Sequence, residues 1–385
     1  MNTADTRPAR GTRPTNRREL IVAAASELFY RSGYANVSMS DIADAVAVGP
    51  SALYRHFRSK QQLLDAVVTD VIASSLEQLD ASEASLAGHL AANAIARRRS
   101  GVLWRREARH LEPDSRELLQ KQVRAYYRRV SSSVAAIRTD LGPNESELLA
   151  HCVIGVSASI SFHNLTLPEP DFQTLLEGLV NRAIEAEIPR LETASPPTSP
   201  APDRIGSRRE HLLAAAIELF ARNGYAHVTM EDLGAAIGIA GPSIYNHFDK
   251  KEDVLVAAIS RGAEWLRIDM NRALTEASDG EDAIRRLISS YRQFAFTNPG
   301  LVRILLTELR HVPEHRHERS HSVQLDYVAD WVRTVQAMRP DWTPLSTRIR
   351  VQAVLGMFNE VAQSTLPQRF RNLGMASDAI AVNLL

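Results

Sequence analysis

The stretch RRELIVAAASELFYRSGYANVSMSDIADAV, residues 17 to 46, returns as RREHLLAAAIELFARNGYAHVTMEDLGAAI at 208 to 237. The correspondence continues through ALYRHF (52–57) and SIYNHF (243–248). Arg17 to Val68 therefore matches Arg208 to Ile259 at a constant shift of 191 positions, with about 23 of 52 residues identical. Stacked solenoids repeat every ~20–50 residues through at least three copies, whereas these two copies are separated by more than a hundred unlike residues. The chain reads as one protomer built twice in tandem.

Each copy has the same internal order. Ile21, Ala24, Ala25, Leu28 and Phe29 form an apolar stripe at helical spacing that stops at Gly33; Leu212, Ala215, Ala216, Leu219, Phe220 and Gly224 repeat it. Ser38 with Asp41 three positions on, mirrored by Thr229 and Asp232, is an N-cap with an acid in the first turn of a second, short helix. The chain turns at Ala47–Gly49 and Gly238–Ala240. Pro50 and Pro242 then open a third short helix carrying Leu53-Tyr54-Arg55-His56-Phe57 or Ile244-Tyr245-Asn246-His247-Phe248. Helix, helix, short turn, helix is the order of a helix-turn-helix.

Outside the repeat, apolar residues recur at three and four and no alternating β-branched segments occur, so the fold class is all-α. Residues 1–16 are polar, with Pro8, Gly11 and Pro14, and read as a disordered arm. Arg190 to Gly206, with prolines at 196, 197, 200 and 202, reads as the linker. In polyproline geometry such a segment spans roughly 45 Å, enough to join two lobes side by side. The expected domains are the arm, a head at 17–64, a helical lobe at 65–189, the linker at 190–206, a second head at 207–255 and a second lobe at 256–385.

The longest apolar run, Cys152–Phe162, is too short to span a membrane. The N-terminus has no secretory pattern and the single cysteine cannot form an internal disulfide, so the expected location is the cytoplasm. The formal charge is zero, but its distribution is uneven. Residues 1–60 carry nine Arg/Lys against five Asp/Glu, whereas Asp203–Lys251 carries six of each. The first head should attract a polyanion more strongly than the second.

Phe29-x3-Gly33-Tyr34, Asp41-Ile42-Ala43 and Leu53-Tyr54-Arg55-His56-Phe57-x2-Lys60 resemble the DNA-binding domain of the tetracycline-repressor (TetR) family, and Phe220 to Lys251 resembles it again. The resemblance covers about 50 residues per copy. It implies a three-helix head on duplex DNA, joined to a helical lobe that binds a hydrophobic small molecule and dimerises through its last two long helices. The family's usual member is a homodimer of single-headed chains. A two-headed chain is similar to tandem regulators in actinobacteria that control lipid or sterol breakdown, and its two lobes are expected to pair within one molecule.

By the same resemblance, Pro50, Ser51 and Ala52 in head one, and Gly241, Pro242 and Ser243 in head two, stand where the leading residues of the third helix meet base edges. Ser38, Ser40, Thr229 and Glu231 on the second helix join the DNA-facing set. So do Tyr54, Arg55 and His56, with Tyr245, Asn246 and His247. For the tyrosines and histidines the alternatives are packing within the head and simple solvation; for Glu231 it is a solvated first-turn acid. Phe57 and Phe248 read as core. Only four of 45 basic residues are Lys, yet Lys60 and Lys251 occupy equivalent positions, where the resemblance implies a point charge on a phosphate. The heads differ at 40/231 and 55/246, so unlike half-sites are expected. Arg7, Arg10 and Arg13 read either as a minor-groove arm or as a plain tail.

A fainter repeat, at a shift of 201, relates the lobes: Glu107-Ala108-Arg109-His110 to Glu308-Leu309-Arg310-His311, Tyr126 to Tyr327, and Val153-Ile154-Gly155 to Val354-Leu355-Gly356. Glu-x-Arg-His reads as an ion pair fixing a helix junction in preference to a ligand patch. Mid-helix Gly155 and Gly356 each cost ~1 kcal/mol relative to Ala and predict close helix approach. Candidate effector contacts are Trp104 and Tyr127 in lobe one and Tyr291, Phe294, Phe296 and Tyr327 in lobe two, with plain core as the alternative for each. His311, His315, His317 and His321 lie beside Arg316 and Arg319, which disfavours a metal, and no cofactor is expected. No nucleophile elbow, phosphate loop, CxxC or HExxH occurs, so no enzymatic role is expected. The alternative function is a small-molecule sensor acting through protein contacts.

Overall fold

The computed structural model describes residues 17–81, 84–194, 207–239, 241–312 and 314–385; the side chains at 50, 81, 100, 241, 242, 310 and 314–324 fall outside that set. The basic arm, the linker prolines and the side chains of His315, His317 and His321 lie outside the described residues. Regular structure among the described residues is helical, with a single isolated bridge between Thr193 and Phe370. The chain forms two compact units that divide at Val130/Ser131.

The first unit holds α1 (Arg17–Ser32), α2 (Met39–Ala45), α3 (Pro50–Tyr54), α4 (Lys60–Ala81), α5 (Leu86–Ala96), α6 (Ser100–Glu107) and most of α7 (Pro113–Ile137). Ile21, Ala25 and Phe29 of α1 are wholly buried, as the 3.6-residue stripe requires. They share one core with Ile42, Leu53 and Phe57 of the head, Leu63, Leu64 and Val67 of α4, and Leu103, Leu111 and Leu119 beneath. Full burial of each large side chain contributes about 1.5–3 kcal/mol, so the head is seated on α4 and α6 by apolar packing.

The second unit begins with the end of lobe one. It contains α8 (Pro143–Ala158), α9 (Asp171–Glu185), α10 (Arg208–Asn223), α11 (Met230–Ala236), α12 (Gly241–Ile244), α13 (Lys251–Thr275), α14 (Gly280–Thr297), α15 (Pro299–Thr307), α16 (Glu314–Met338), α17 (Pro344–Ala362), α18 (Leu366–Arg369) and α19 (Leu373–Leu384). Thus α8 and α9 fold with the second half of the chain, and α8 packs along α17. Gly155 and Gly356 meet at this crossing. A Cβ on Gly155 would stand 2.8 Å from Met357 Cα and 2.9 Å from the Gly356 carbonyl; one on Gly356 would stand 2.7 Å from Ser159 Cβ and 3.0 Å from the Gly155 carbonyl. The close approach expected of these glycines is therefore present, and it is reciprocal. No described helix is long and apolar enough to cross a membrane.

Candidate nucleic-acid interface

Local chemistry builds the two heads alike. At the start of α2, the Ser38 backbone N–H donates to Asp41 Oδ2 (2.7 Å) while the Asp41 N–H donates to Ser38 Oγ (3.1 Å). Thr229 and Asp232 form the same capping box on α11, at 2.8 and 3.1 Å. Hydrogen bonds from the cap backbone, reinforced by the cap hydroxyl, hold both carboxyls below the ordinary Asp range. The caps thus orient the second helices, and the hydroxyls of Ser38 and Thr229 are engaged within their own heads.

The third helices are anchored from beneath. Leu53 and Phe57 are 0 and 1% exposed, and Ile244 and Phe248 are 0 and 5%. With these inside, the intervening residues turn outward: Tyr54 is 50% exposed and Tyr245 47%. Ser51, Arg55 and His56 are exposed in head one, with Ala52 half-buried. In head two Asn246 is exposed, while Ser243 and His247 are half-buried. On the second helices Ser40 and Glu231 are exposed. The side chains of Pro50, Gly241 and Pro242 lie outside the described residues. Each outward edge is braced by an arginine over the buried ring, Arg18 at 5.1 Å from the Phe57 centroid and Arg209 at 4.0 Å from that of Phe248. Arg209 also donates to the His247 carbonyl at 2.5 Å.

Lys60 and Lys251 are turned toward the protein. Lys60 Nζ donates to the carbonyls of Tyr34 (2.9 Å) and Val37 (2.8 Å) and lies 4.3 Å from the Tyr34 ring centroid. Lys251 Nζ donates to the Tyr225 carbonyl (2.9 Å) and lies 4.3 Å from the Tyr225 ring centroid. Partial burial lowers both ammonium pKa values. Two of the three N–H donors of Lys60 are therefore used inside the head, clasping the turn after α1 to the start of α4.

The duplicated Glu-x-Arg-His segments sit where head meets lobe in each unit. Glu107 and Glu308 are both 0% exposed. Arg106 Nε donates to Glu107 Oε1 (2.6 Å), and its Nη2 donates to the carbonyls of Phe29 (2.6 Å) and Tyr30 (2.8 Å) at the end of α1. His110 lies 3.5 Å from Glu107 Oε2 and its ring is 5.2 Å from that of Tyr34. Gln61 accepts from the Tyr34 hydroxyl (3.1 Å) and donates to the His110 carbonyl (2.9 Å). In the second unit Glu308 accepts from the Tyr225 backbone N–H (3.3 Å) and the Thr307 hydroxyl (2.9 Å), and the His311 ring stacks 5.0 Å from that of Tyr225. Burial, with Glu252 and Asp253 nearby, pushes the Tyr225 hydroxyl up to about 12. The segments are junction pieces. Arg106 and Gln61 carry no signal in the repeat, because their counterparts are Thr307 and Glu252. The repeat does carry one for Arg18 and Arg209, which are identical at the 191 shift.

Of the candidate effector residues, Tyr291, Phe294 and Tyr327 are brought together with Trp331 and Phe358. Tyr291 lies 6.2–6.5 Å, centroid to centroid, from each of these four rings. Phe296 reaches Phe358 at 6.3 Å. The Tyr291 hydroxyl donates to Asn359 Oδ1 at 2.8 Å. The Tyr327 hydroxyl and Trp331 Nε1 are buried without a hydrogen bond of ordinary geometry. Trp104 packs instead against the core beneath head one, and Tyr127 stands 6.4 Å from Tyr126.

Residues 21–67 and 212–258 each match the domain described as bacterial regulatory proteins, tetR family. Over 100 residues the chain is 33% identical to the nucleoid occlusion factor SlmA of Vibrio cholerae, a match covering 26% of this chain and 51% of that protein. SlmA of Vibrio atlanticus is 31% identical over 103 residues, 26% of this chain and 53% of its own. The chain thus spans about half the length of the curated relatives it matches. Similar solved structures include a TetR-family transcriptional regulator from Bordetella parapertussis 12822, 20% identical, covering 45% of this chain and 89% of that one with a TM-score of 0.41. The ketosteroid regulator KstR2 of Mycobacterium tuberculosis is 18% identical, covering 46% and 95%, with a TM-score of 0.40.

Proposed function

From a chain that carries the TetR-family DNA-binding domain twice, we propose a ligand-responsive transcriptional repressor that binds one operator as a single-chain pseudo-dimer, the two heads reading unlike half-sites. The observation that carries this reading is the outward Tyr-x-His edge, built twice on a buried Leu or Ile and a buried Phe. A third helix anchored in that way presents its leading residues to a major groove, while Tyr and His supply hydrogen-bonding tips to backbone or base edges. Ser40 against Glu231, and Arg55 against Asn246, are the differences expected to read different bases. Joining the heads covalently gives the second one a high effective concentration once the first is bound.

The effector enters, in this reading, at the aromatic cluster of lobe two, where the Tyr327 hydroxyl and the Trp331 indole offer polar contacts within apolar walls, as a hydrophobic ligand bearing one or two polar groups requires. A ligand acts on DNA only by differing in affinity between two states of the protein. The Glu308–Tyr225 contact supplies a route from lobe to head. Genes of lipid or sterol breakdown are the first targets to try, the chain is read as cytoplasmic and non-enzymatic, and no cofactor is invoked.

Selection of genomic fragments with the purified chain, followed by salt titration on the selected site, tests the proposal. Phosphate contacts predict a log–log slope of about −0.9 per neutralised phosphate. A sensor working through protein contacts alone is the second reading, favoured by the balanced charge of head two, six basic against six acidic residues over Asp203–Lys251. It predicts no selected fragment and no salt-dependent duplex binding.

A further inference from the structure

The seam between α8 and α17 is nearly two-fold symmetric in its backbone and asymmetric in its polar residues. A Cβ on Gly155 would stand 2.7 Å from Glu360 Cβ, and one on Gly356 would stand at the same distance from Ser159 Cβ. At the 201 shift these are reciprocal contacts, since Glu360 is the counterpart of Ser159. The side chains break the symmetry. His151 Nδ1 lies 3.3 Å from Glu360 Oε1, with the His151 side chain 17% and the Glu360 side chain 6% exposed, whereas the mirrored positions are Gln352 and Ser159. At the edge, Arg369 Nη1 pairs with Glu147 Oε1 at 2.7 Å, and the counterpart of Glu147 is Arg348.

We infer that these two pairs form a pairing code that directs lobe one to lobe two and against a second copy of either. If lobe two paired with another lobe two, Arg348 would take the place of Glu147 opposite Arg369, setting two cations together. The nearly buried Glu360 would then face the neutral amide of Gln352. If lobe one paired with another lobe one, Glu147 would meet the His163–Asp171 stretch, which holds no Arg or Lys, and His151 would face Ser159. Like charges and neutral partners penalise both self-pairings, while the apolar surface around the glycines serves any of the three equally. Specificity thus lies in the difference between pairings. The partner that this surface fits is the other half of the same chain. The inference rests on the single-chain reading above and supplies a physical reason for it.

The chain carries its own reporter. Cys152 on α8 is its only cysteine and is wholly buried. Native-state thiol labelling therefore reads opening of the seam, and light scattering reads mass against the 42.6 kDa of one chain. The wild type is expected at the single-chain mass with slow labelling. Glu147→Arg, which gives lobe one the residue of lobe two, should label at least tenfold faster and form a species of twice the mass as concentration rises. Adding Arg369→Glu should reverse both effects. His151→Gln should speed labelling in the same direction, and Glu147→Gln gives a milder perturbation if Glu147→Arg does not fold. Wild-type mass and labelling rates in every variant, or failure of Arg369→Glu to rescue, would overturn the code. A wild type already at twice the mass would remove the single-chain reading instead; the code would then still stand or fall on the rescue.

Discussion

Removing the Lys60 ammonium separates two roles that sequence alone leaves merged. In the structure its Nζ binds two carbonyls and lies over the Tyr34 ring, whereas Lys251 binds one carbonyl and lies over Tyr225. Hydrogen bonds to a charged group contribute ~1.5–3 kcal/mol each when dry and a ring contact ~0.5–1, but both ammoniums are only partly buried. After discounting for solvent, Lys60→Ala should cost head one about 2 kcal/mol and Lys251→Ala should cost head two about 1. Native-state hydrogen exchange read by mass spectrometry checks this on the peptides covering α2 and α11. At ~1.4 kcal/mol per tenfold, protection should fall about 30-fold in the first and about 5-fold in the second. The salt slope of DNA binding should be little altered, since these donors are used internally. Unchanged protection together with a slope reduced by about one would refute the clasp and return both lysines to the phosphate role.

Tyr54→Ala and Tyr245→Ala remove exposed side chains, so melting should move by less than ~0.5 kcal/mol equivalent. Loss of a hydrogen bond to a charged phosphate should still weaken duplex binding about tenfold or more in fluorescence anisotropy. Ala47 adopts φ 53° where its counterpart Gly238 adopts 69°. Ala47→Gly should therefore stabilise head one by ~1 kcal/mol and Gly238→Ala destabilise head two by a similar amount, read as exchange protection. The Asp41 and Asp232 carboxyls titrate below the ordinary value of 3.8. Their stabilisation is thus fully present above that value and lost as pH falls through the lower folded-state value. Protection of α2 and α11 should decline below about pH 4, and Asp41→Asn with Asp232→Asn should flatten that acid limb.

The heads were legible because each element announces itself locally. The stripe from Ile21 to Phe29, the Ser38/Asp41 and Thr229/Asp232 boxes and the prolines of the third helices are short-range signals, and the duplication printed each of them twice. Gly155 and Gly356 were legible for a related reason: a mid-helix glycine is costly unless a neighbour needs the space. What stayed hidden depends on contacts distant in sequence. The inward turn of Lys60 and Lys251 is set by carbonyls 23 to 26 residues away, so equivalent spacing pointed as readily to a phosphate. Arg106 completes the end of α1 across 77 positions, and its counterpart is a threonine. Trp104 and Tyr127 share helical spacing with Tyr291, Phe294 and Tyr327; only packing separates Trp104, which serves the core beneath head one, from the ring cluster around Tyr291.

The most direct test of the account is the stoichiometry of the two-headed chain on its selected operator, by light scattering of the purified complex together with footprinting of both strands. One chain per duplex, protecting two half-sites of unlike sequence in successive major grooves, is the predicted result. Two chains on a strictly palindromic site, with one head of each leaving no footprint, would contradict it.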